Sequence, residues 1–316
     1  MEALLRFYSN PARAFLRGLR VILKDDVEAL EDREPVQLDA LKCYELGTRA
    51  LRVLSTGGQL VTDLELKRGD YPSGAPGKVQ RDEILRLTGE VVRQARLYMT
   101  QPPQPRRDLR ADLDLIHSRR VEVRGCIDGL FGARRVVCSY GKFRVKRYLA
   151  LWVEHLLCSV ALEGFHESIL IAPDDKGGVV VKRLQRLPTL AALDELRALV
   201  QFYYDGQLRP LCFHPEASWE VCTRLAQEQL RVGRQTEPDI GVSPILVSRL
   251  RATLRERAEA QLLFRGQLEA NFLQVFGAED PLGFERDAQL ALEDVHFVKL
   301  SQTILGRLME RDGETS

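Results

Sequence analysis

The chain has 316 residues, 45% of them hydrophobic and 29% charged, enough apolar material for a folded core and too mixed for a fibrous or disordered protein. Lys+Arg 46 against Asp+Glu 45 leaves a formal net charge of +1, which excludes global attraction to polyanions, so any nucleic-acid contact must be local. The six cysteines (Cys43, Cys126, Cys138, Cys158, Cys212, Cys222) lack close paired spacing, no leader opens the chain, and no apolar run reaches the roughly 20 residues of a membrane span. A cytoplasmic protein with reduced thiols and no membrane partner is the expectation.

The opening apolar stretch Leu4-Leu5-Arg6-Phe7-Tyr8 leads to Asn10 as an N-cap and Pro11 at the first helical position, with Phe15 and Leu16 facing inward. A charged stretch runs to Pro35. Asp39 then precedes a helix whose inner face is predicted from Leu41, Tyr44, Leu46 and Leu51, with its end at Gly57-Gly58. The breaker-rich run from Gly69 to Lys78 predicts a surface loop, and helix resumes from Asp82 to Met99. Gln101-Pro102-Pro103-Gln104-Pro105 predicts a stiff extended linker.

Beyond it the period changes to two. Val121, Val123 and Ile127 alternate with polar residues, Gly129 to Arg134 turn the chain, and Val136-Val137-Cys138 returns, which predicts a β-hairpin. Val145, Leu149, Trp152, Val153 and Leu156 predict a helix with a buried face. A second hairpin, Ser168–Ala172 with Val179–Lys182, turns around Asp174 to Gly178. Everything after Leu187 reads as helical, including Pro244–Phe272 and Ala288–Met309. The fold class predicted is α/β (α+β), with a small mixed sheet flanked by many helices. Its parts are a helical segment over 1–105, a sheet-and-helix core over 106–187 and a helical segment over 188–316.

The order hairpin, helix, strand behind a helical front resembles restriction-endonuclease-like folds, and Asp128 stands where such folds carry a metal-binding aspartate. Mg²⁺ chemistry on phosphates needs a second hard anionic ligand, usually an acid two residues before a lysine on the next strand. Here the acid slot falls on Cys138 and the lysine slot on Tyr140. A register shift of two brings Lys142 into the lysine slot but puts Tyr140 in the acid slot. Between Asp128 and Glu154 there is no Asp or Glu in any register. The expectation is a degenerate site around Asp128, Cys138, Tyr140 and Lys142, with no catalytic residue, metal or cofactor. Asp128 then either closes the turn before Gly129 or keeps a single-carboxylate metal contact.

The same region is basic. Arg119, Arg120, Arg124, Arg134, Arg135, Lys142, Arg144, Lys146 and Arg147 face only Glu122 and Asp128 in sequence, as a phosphate-binding strip or a solvated face paired with acids from elsewhere. The turn Gly132-Ala133-Arg134-Arg135 is a candidate wedge between DNA strands. His117, His155, His166, His214 and His296 lack metal-site spacing. Tyr203, Tyr204, Phe213 and Trp219 read as a packing cluster.

Several stretches resemble, in order, the C-terminal domain of the exodeoxyribonuclease V gamma chain (RecC) family. These are Leu4–Leu16, Glu34-Pro35-Val36 with Leu38-Asp39 and Leu41, then Tyr44 and Leu46, Pro72-Ser73-Gly74-Ala75 with Gly77, Gly125–Leu130, Leu151–Leu156, Tyr204–Leu211, and Phe213 with Pro215, Ser218 and Trp219. The resemblance implies a nuclease-like fold of PD-(D/E)XK type without its catalytic residues. It also implies a non-catalytic, DNA-guiding and subunit-docking role in a helicase-nuclease complex for double-strand break repair and homologous recombination. The implied partners are the beta and alpha chains (RecB-like and RecD-like) and a duplex DNA end or fork. Gamma chains carry large inactive helicase-like domains upstream, so a split gene, a free-standing paralogue and an excised domain all fit this sequence. An active Mg²⁺ exonuclease with an atypical acid such as Glu154, and an interaction module without DNA contact, are the competing readings.

Overall fold

The chain opens with two short helices, α1 (Glu2–Ser9) and α2 (Pro11–Gly18), divided by Asn10, whose side chain accepts from the Arg13 amide at 2.8 Å. The structure is a computed structural model that describes residues 1–21, 38–55, 58, 69–116, 119–235, 244–264, 267–268, 270–277, 279–287 and 295–313. The Glu34-Pro35-Val36 motif, Gly57 and His117 lie outside the described residues. Helices α3 (Ala40–Ser55) and α4 (Ala75–Arg96) follow, then strands β1 (Arg107–Asp114), β2 (Arg120–Ile127), β3 (Leu130–Phe131) and β4 (Arg134–Cys138). Next come α5 (Val145–Ala161), β5 (Glu167–Pro173), β6 (Val179–Gln185), α6 (Thr189–Leu208), α7 (Pro215–Gln235) and α8 (Pro244–Gln261). A two-residue ribbon, β7 (Leu263–Phe264) and β8 (Gln267–Leu268), then α9 (Ala270–Phe276) and α10 (His296–Gly313) complete the order.

The mixed α+β class predicted from the sequence is the one observed. Strands β3-β4-β5-β6 form one sheet in that order, β4 parallel to β5 and the outer pairs antiparallel. Because β4 and β5 are parallel, α5 is their crossover. Every residue of β5 is buried, as a central strand covered on both faces requires. On one face Val91, Val92 and Ala95 of α4 pack on Val136, Ile169 and Ile171; on the other Trp152 and Leu156 of α5 share a core with Leu170 and Leu184. Helix α5 is buried on nearly all sides, touched by α1, β1, α6, α7 and α10.

Several local expectations are corrected. Strand β2 does not return on β4; it pairs antiparallel with β1, Ala111 opposite Val123 and Leu113 opposite Val121. Gly129 adopts φ 71°, which ends β2 and carries the chain into the neighbouring sheet, where the real hairpin is only β3 and β4. The predicted loop after Gly69 is half helix: Gly74 caps α4 and Pro76 occupies its first turn, where a missing N–H costs nothing. Leu41 and Tyr44 are 68% and 41% exposed, because the buried stripe of α3 runs through Leu46, Gly47, Ala50 and Leu51. The Pro244–Phe272 helix breaks after Gln261 into the β7–β8 ribbon; of the predicted Ala288–Met309 helix, residues 288–294 lie outside the described residues, and the described helix spans His296–Gly313.

The proline-rich segment is no loose tether. The Gln104 amide donates to Leu130 O at 2.8 Å and its side chain to Gly132 O at 2.9 Å, which lays the segment along β3. Residues on both sides of it share cores: Leu4, Phe7 and Tyr8 with Trp152, and Leu51 with Ile169. The C-terminal helices have a second core around Val221, Leu254, Phe272 and Phe297, into which Ala12 of α2 also packs.

Candidate functional site

The predicted degenerate site is distributed over three environments. Asp128 follows β2 and is exposed, and its carboxylate makes no ion pair or hydrogen bond with the described residues. It helps to close the turn through its main chain: Asp128 O accepts from Arg135 Nε at 3.1 Å, and the Val136 amide donates to Gly129 O at 2.8 Å. Cys138 ends β4 opposite Ile171, on the face covered by α4, and burial pushes its thiol up to about 12. Such a thiol stays protonated and is a poor ligand for a hard cation.

Tyr140 turns toward α3. Its ring lies so flatly over Gly47 that a Cβ there would overlap it, and burial beside Cys43 and Glu83 pushes its hydroxyl up to about 12. Lys142 points to the second hairpin, its Nζ 3.2 Å from Asp175. Glu154 of α5 is taken by Arg135, whose Nη1 donates to Glu154 Oε2 at 2.7 Å. Among the described residues no three His, Cys, Asp or Glu side chains converge as a metal site.

The nine cations do not form one strip. Consecutive residues of β4 point to opposite faces, so Arg134 and Arg135 part company. Arg134 reaches Glu167 at 2.8 Å; that carboxylate, 3% exposed, is also held by Arg183 at 2.8 Å and by Gln185. Arg135 is 4% exposed. Both arginines satisfy acids that are largely shielded from water, and neither sits at the turn tip. The tip is Gly132-Ala133, held by Gln104 and by the His166 amide on Ala133 O, with Arg134 and Arg135 already in β4.

The remaining cations fall in two places. At the β1–β2 ribbon Arg120 pairs with Asp114 at 3.2 Å, Arg124 with Glu122 at 2.5 Å, and Arg119 lies 3.9 Å from the centre of the Tyr204 ring. Around the start of α5, Arg144 and Lys146 are exposed without a side-chain partner among the described residues. Arg147 Nη1 donates to Gly141 O at 2.9 Å and to Ser139 Oγ. The acids at Arg120 and Lys142 are exposed and the one at Arg124 is half-exposed, and surface pairs are worth about 0–1 kcal/mol, so these cations can exchange a carboxylate for a phosphate.

Two other groups have structural work. His155 Nε2 faces the Gln185 carbonyl at 3.0 Å, an atom that only accepts, so Nε2 carries the proton and Nδ1 accepts from Ser168 Oγ at 3.1 Å. Burial holds its imidazole down to about 3. The aromatic cluster is core: Tyr203 meets Phe7 edge-on at 5.4 Å, Phe213 meets Tyr8 at 6.2 Å and Trp219 meets Tyr148 at 5.8 Å. Sequence reasoning missed the Glu167 clamp and the exposure of Tyr44. The clamp is legible only from register, since Arg134 and Gln185 become neighbours of Glu167 by strand pairing.

The class defined by these features is an α+β domain built on a β4-α5-β5 crossover, with basic side chains at its surface. The RecC C-terminal domain family matches over residues 1–226, and the chain belongs to that family. Similar relatives include the RecBCD enzyme subunit RecC of two strains of Mycobacterium tuberculosis, each 30% identical over 236 residues, covering 73% of this chain and 21% of the relative. The RecBCD enzyme subunit RecC of Mycolicibacterium smegmatis is 31% identical over 159 residues, covering 48% of this chain and 14% of that protein. The chain thus spans about a fifth of the length of the Mycobacterium tuberculosis relatives.

Proposed function

We propose that this chain is a non-catalytic, nuclease-like domain that guides DNA and docks partner subunits in a helicase-nuclease complex of double-strand break repair and recombination. The observation that carries the reading is the fate of the two slots on and after β4. Cys138 is partly buried against α4, and Tyr140 is spent on packing over Gly47. Glu154, the nearest later acid, is neutralised by Arg135. Hydrolysis of a phosphodiester by this route needs two anionic ligands beside one metal, and neither slot nor Glu154 offers Asp128 a second. Family membership supports the setting, since the relatives are named as subunits of the RecBCD enzyme. RecB-like and RecD-like chains are the proposed partners, and a duplex end or fork the proposed substrate.

A docking module without DNA contact is the second reading, favoured by the five cations that already face carboxylates. A forked duplex titrated with the purified chain at several salt concentrations separates the two. DNA guiding predicts binding that weakens linearly in log–log salt, and a pure docking module predicts none at any salt. Co-purification with RecB-like and RecD-like chains tests the docking half of both; recovery of the chain without either subunit would count against it.

A further inference from the structure

Tyr44 is a large aromatic side chain left 41% exposed on α3, at the margin of the buried stripe through Leu46, Ala50 and Leu51. Opposite it the backbone of Gly141 is bare. A Cβ on Gly141 would stand 3.0 Å from Tyr44 Cε2 and 3.2 and 3.3 Å from the two terminal nitrogens of Arg147. Ring and guanidinium therefore converge on one glycine. Arg147 is fixed there by Nη1 alone, through Gly141 O, Lys142 O and Ser139 Oγ, which leaves donors on Nη2 and Nε without a partner among the described residues.

We propose that Tyr44 and Arg147, over the floor of Gly141 and with Lys142, Arg144 and Lys146 beside them, form a stacking site for one unpaired base of single-stranded DNA and its flanking phosphates. The proposal rests on the DNA-guiding reading and names the strand form this region takes. An exposed ring offers a face, which a base buried in a duplex stack cannot use and a splayed base can. Cations around such a ring track the backbone. Among the described residues the acids that contact this group are Asp175, in an exposed pair with Lys142, and Glu216, whose carboxylate is held by the Val145 and Lys146 amides at 3.1 and 3.3 Å; Glu45, beside Tyr44, pairs with Lys42 at 3.7 Å. Lys142, Arg144, Lys146 and Arg147 outnumber the two carboxylates that contact them. The Arg144 and Lys146 side chains make no ion pair among the described residues, so phosphate binding displaces no carboxylate from them.

The test is fluorescence anisotropy of the full chain with labelled oligothymidylate of about 20 nucleotides, longer than the roughly 4–16 nucleotides that one OB-fold module covers, and with a duplex of the same length, over a salt series. Tyr44→Ala should weaken single-strand binding roughly 5- to 150-fold, the range that one base stack is worth, with a smaller effect on duplex. Tyr44→Phe and Tyr44→Trp, which keep a ring against Gly141, should retain affinity within about threefold, a margin well below one stack. Arg144→Ala with Lys146→Ala should flatten the log–log salt slope by about 1.4, about 0.7 for each single-strand phosphate no longer neutralised. Salt-sensitive single-strand binding that is indifferent to Tyr44→Ala overturns this site and leaves the DNA-guiding reading standing. Absence of binding to either form overturns both.

Discussion

Arg135 and Glu154 close on each other at 2.7 Å between the sheet and α5, the arginine side chain 5% exposed and the glutamate 19%. The pair joins β4 to the helix that crosses over to β5, and the same guanidinium holds the turn at Asp128 O. Arg135→Met should therefore leave a poorly solvated carboxylate and an orphaned carbonyl, and lower stability by about 3 kcal/mol. Urea unfolding checks this, with Arg135→Met/Glu154→Leu recovering part of the loss and Arg144→Ala staying within about 0.5 kcal/mol of the parent.

Tyr140 and Gly47 make the second joint. Gly47→Ala forces a methyl into the Tyr140 ring and should destabilise by about 1–3 kcal/mol through overpacking. In a double-mutant cycle the penalty should shrink when Tyr140 is already Ala, because the clash then has no partner. Equal penalties in both backgrounds would show that the contact is not what fixes α3 to the loop.

His155 gives a pH signature. Its folded pKa, about 3, lies below the roughly 6.5 of an exposed imidazole, so the unfolded chain binds the proton first as pH falls. The stability it protects is fully present above about pH 6.5 and is lost on acidification between about 6.5 and 3, at roughly 1.4 kcal/mol per pH unit. Between pH 7 and 5 the parent should lose about 2 kcal/mol more than His155→Gln, measured by urea unfolding at both values.

Thiol accessibility tests the packing. Cys126 is exposed and should be labelled by a maleimide in the folded chain, while Cys158, Cys212 and Cys222, buried and pushed up to about 12, should react only after unfolding. Mass spectrometry of the labelled peptides decides between this order and uniform labelling.

What the sequence made legible follows the strength of its local signals. Asn10-Pro11 gives a cap and a start at one point, and the α5 stripe and the β5–β6 hairpin carry periodicity and turn residues that agree. Strand β1 hides because Arg107–Asp114 has only three buried residues, Leu109, Ala111 and Leu113, and five exposed charged ones, four of them on its wet face. Without β1, β2 has no partner in the sequence except β4, and the longer hairpin follows from that omission. The acid-free interval between Asp128 and Glu154 was readable because it holds in any register. The fate of individual cations was not, since Glu167 and Arg134 meet only through parallel pairing across α5.

The proposed absence of phosphodiester chemistry from this chain is tested most directly by incubation of the purified protein with linear duplex DNA and Mg²⁺ or Mn²⁺. Full-length DNA should persist, with no acid-soluble nucleotide released. Release that depends on the metal and disappears in Asp128→Ala would contradict the account.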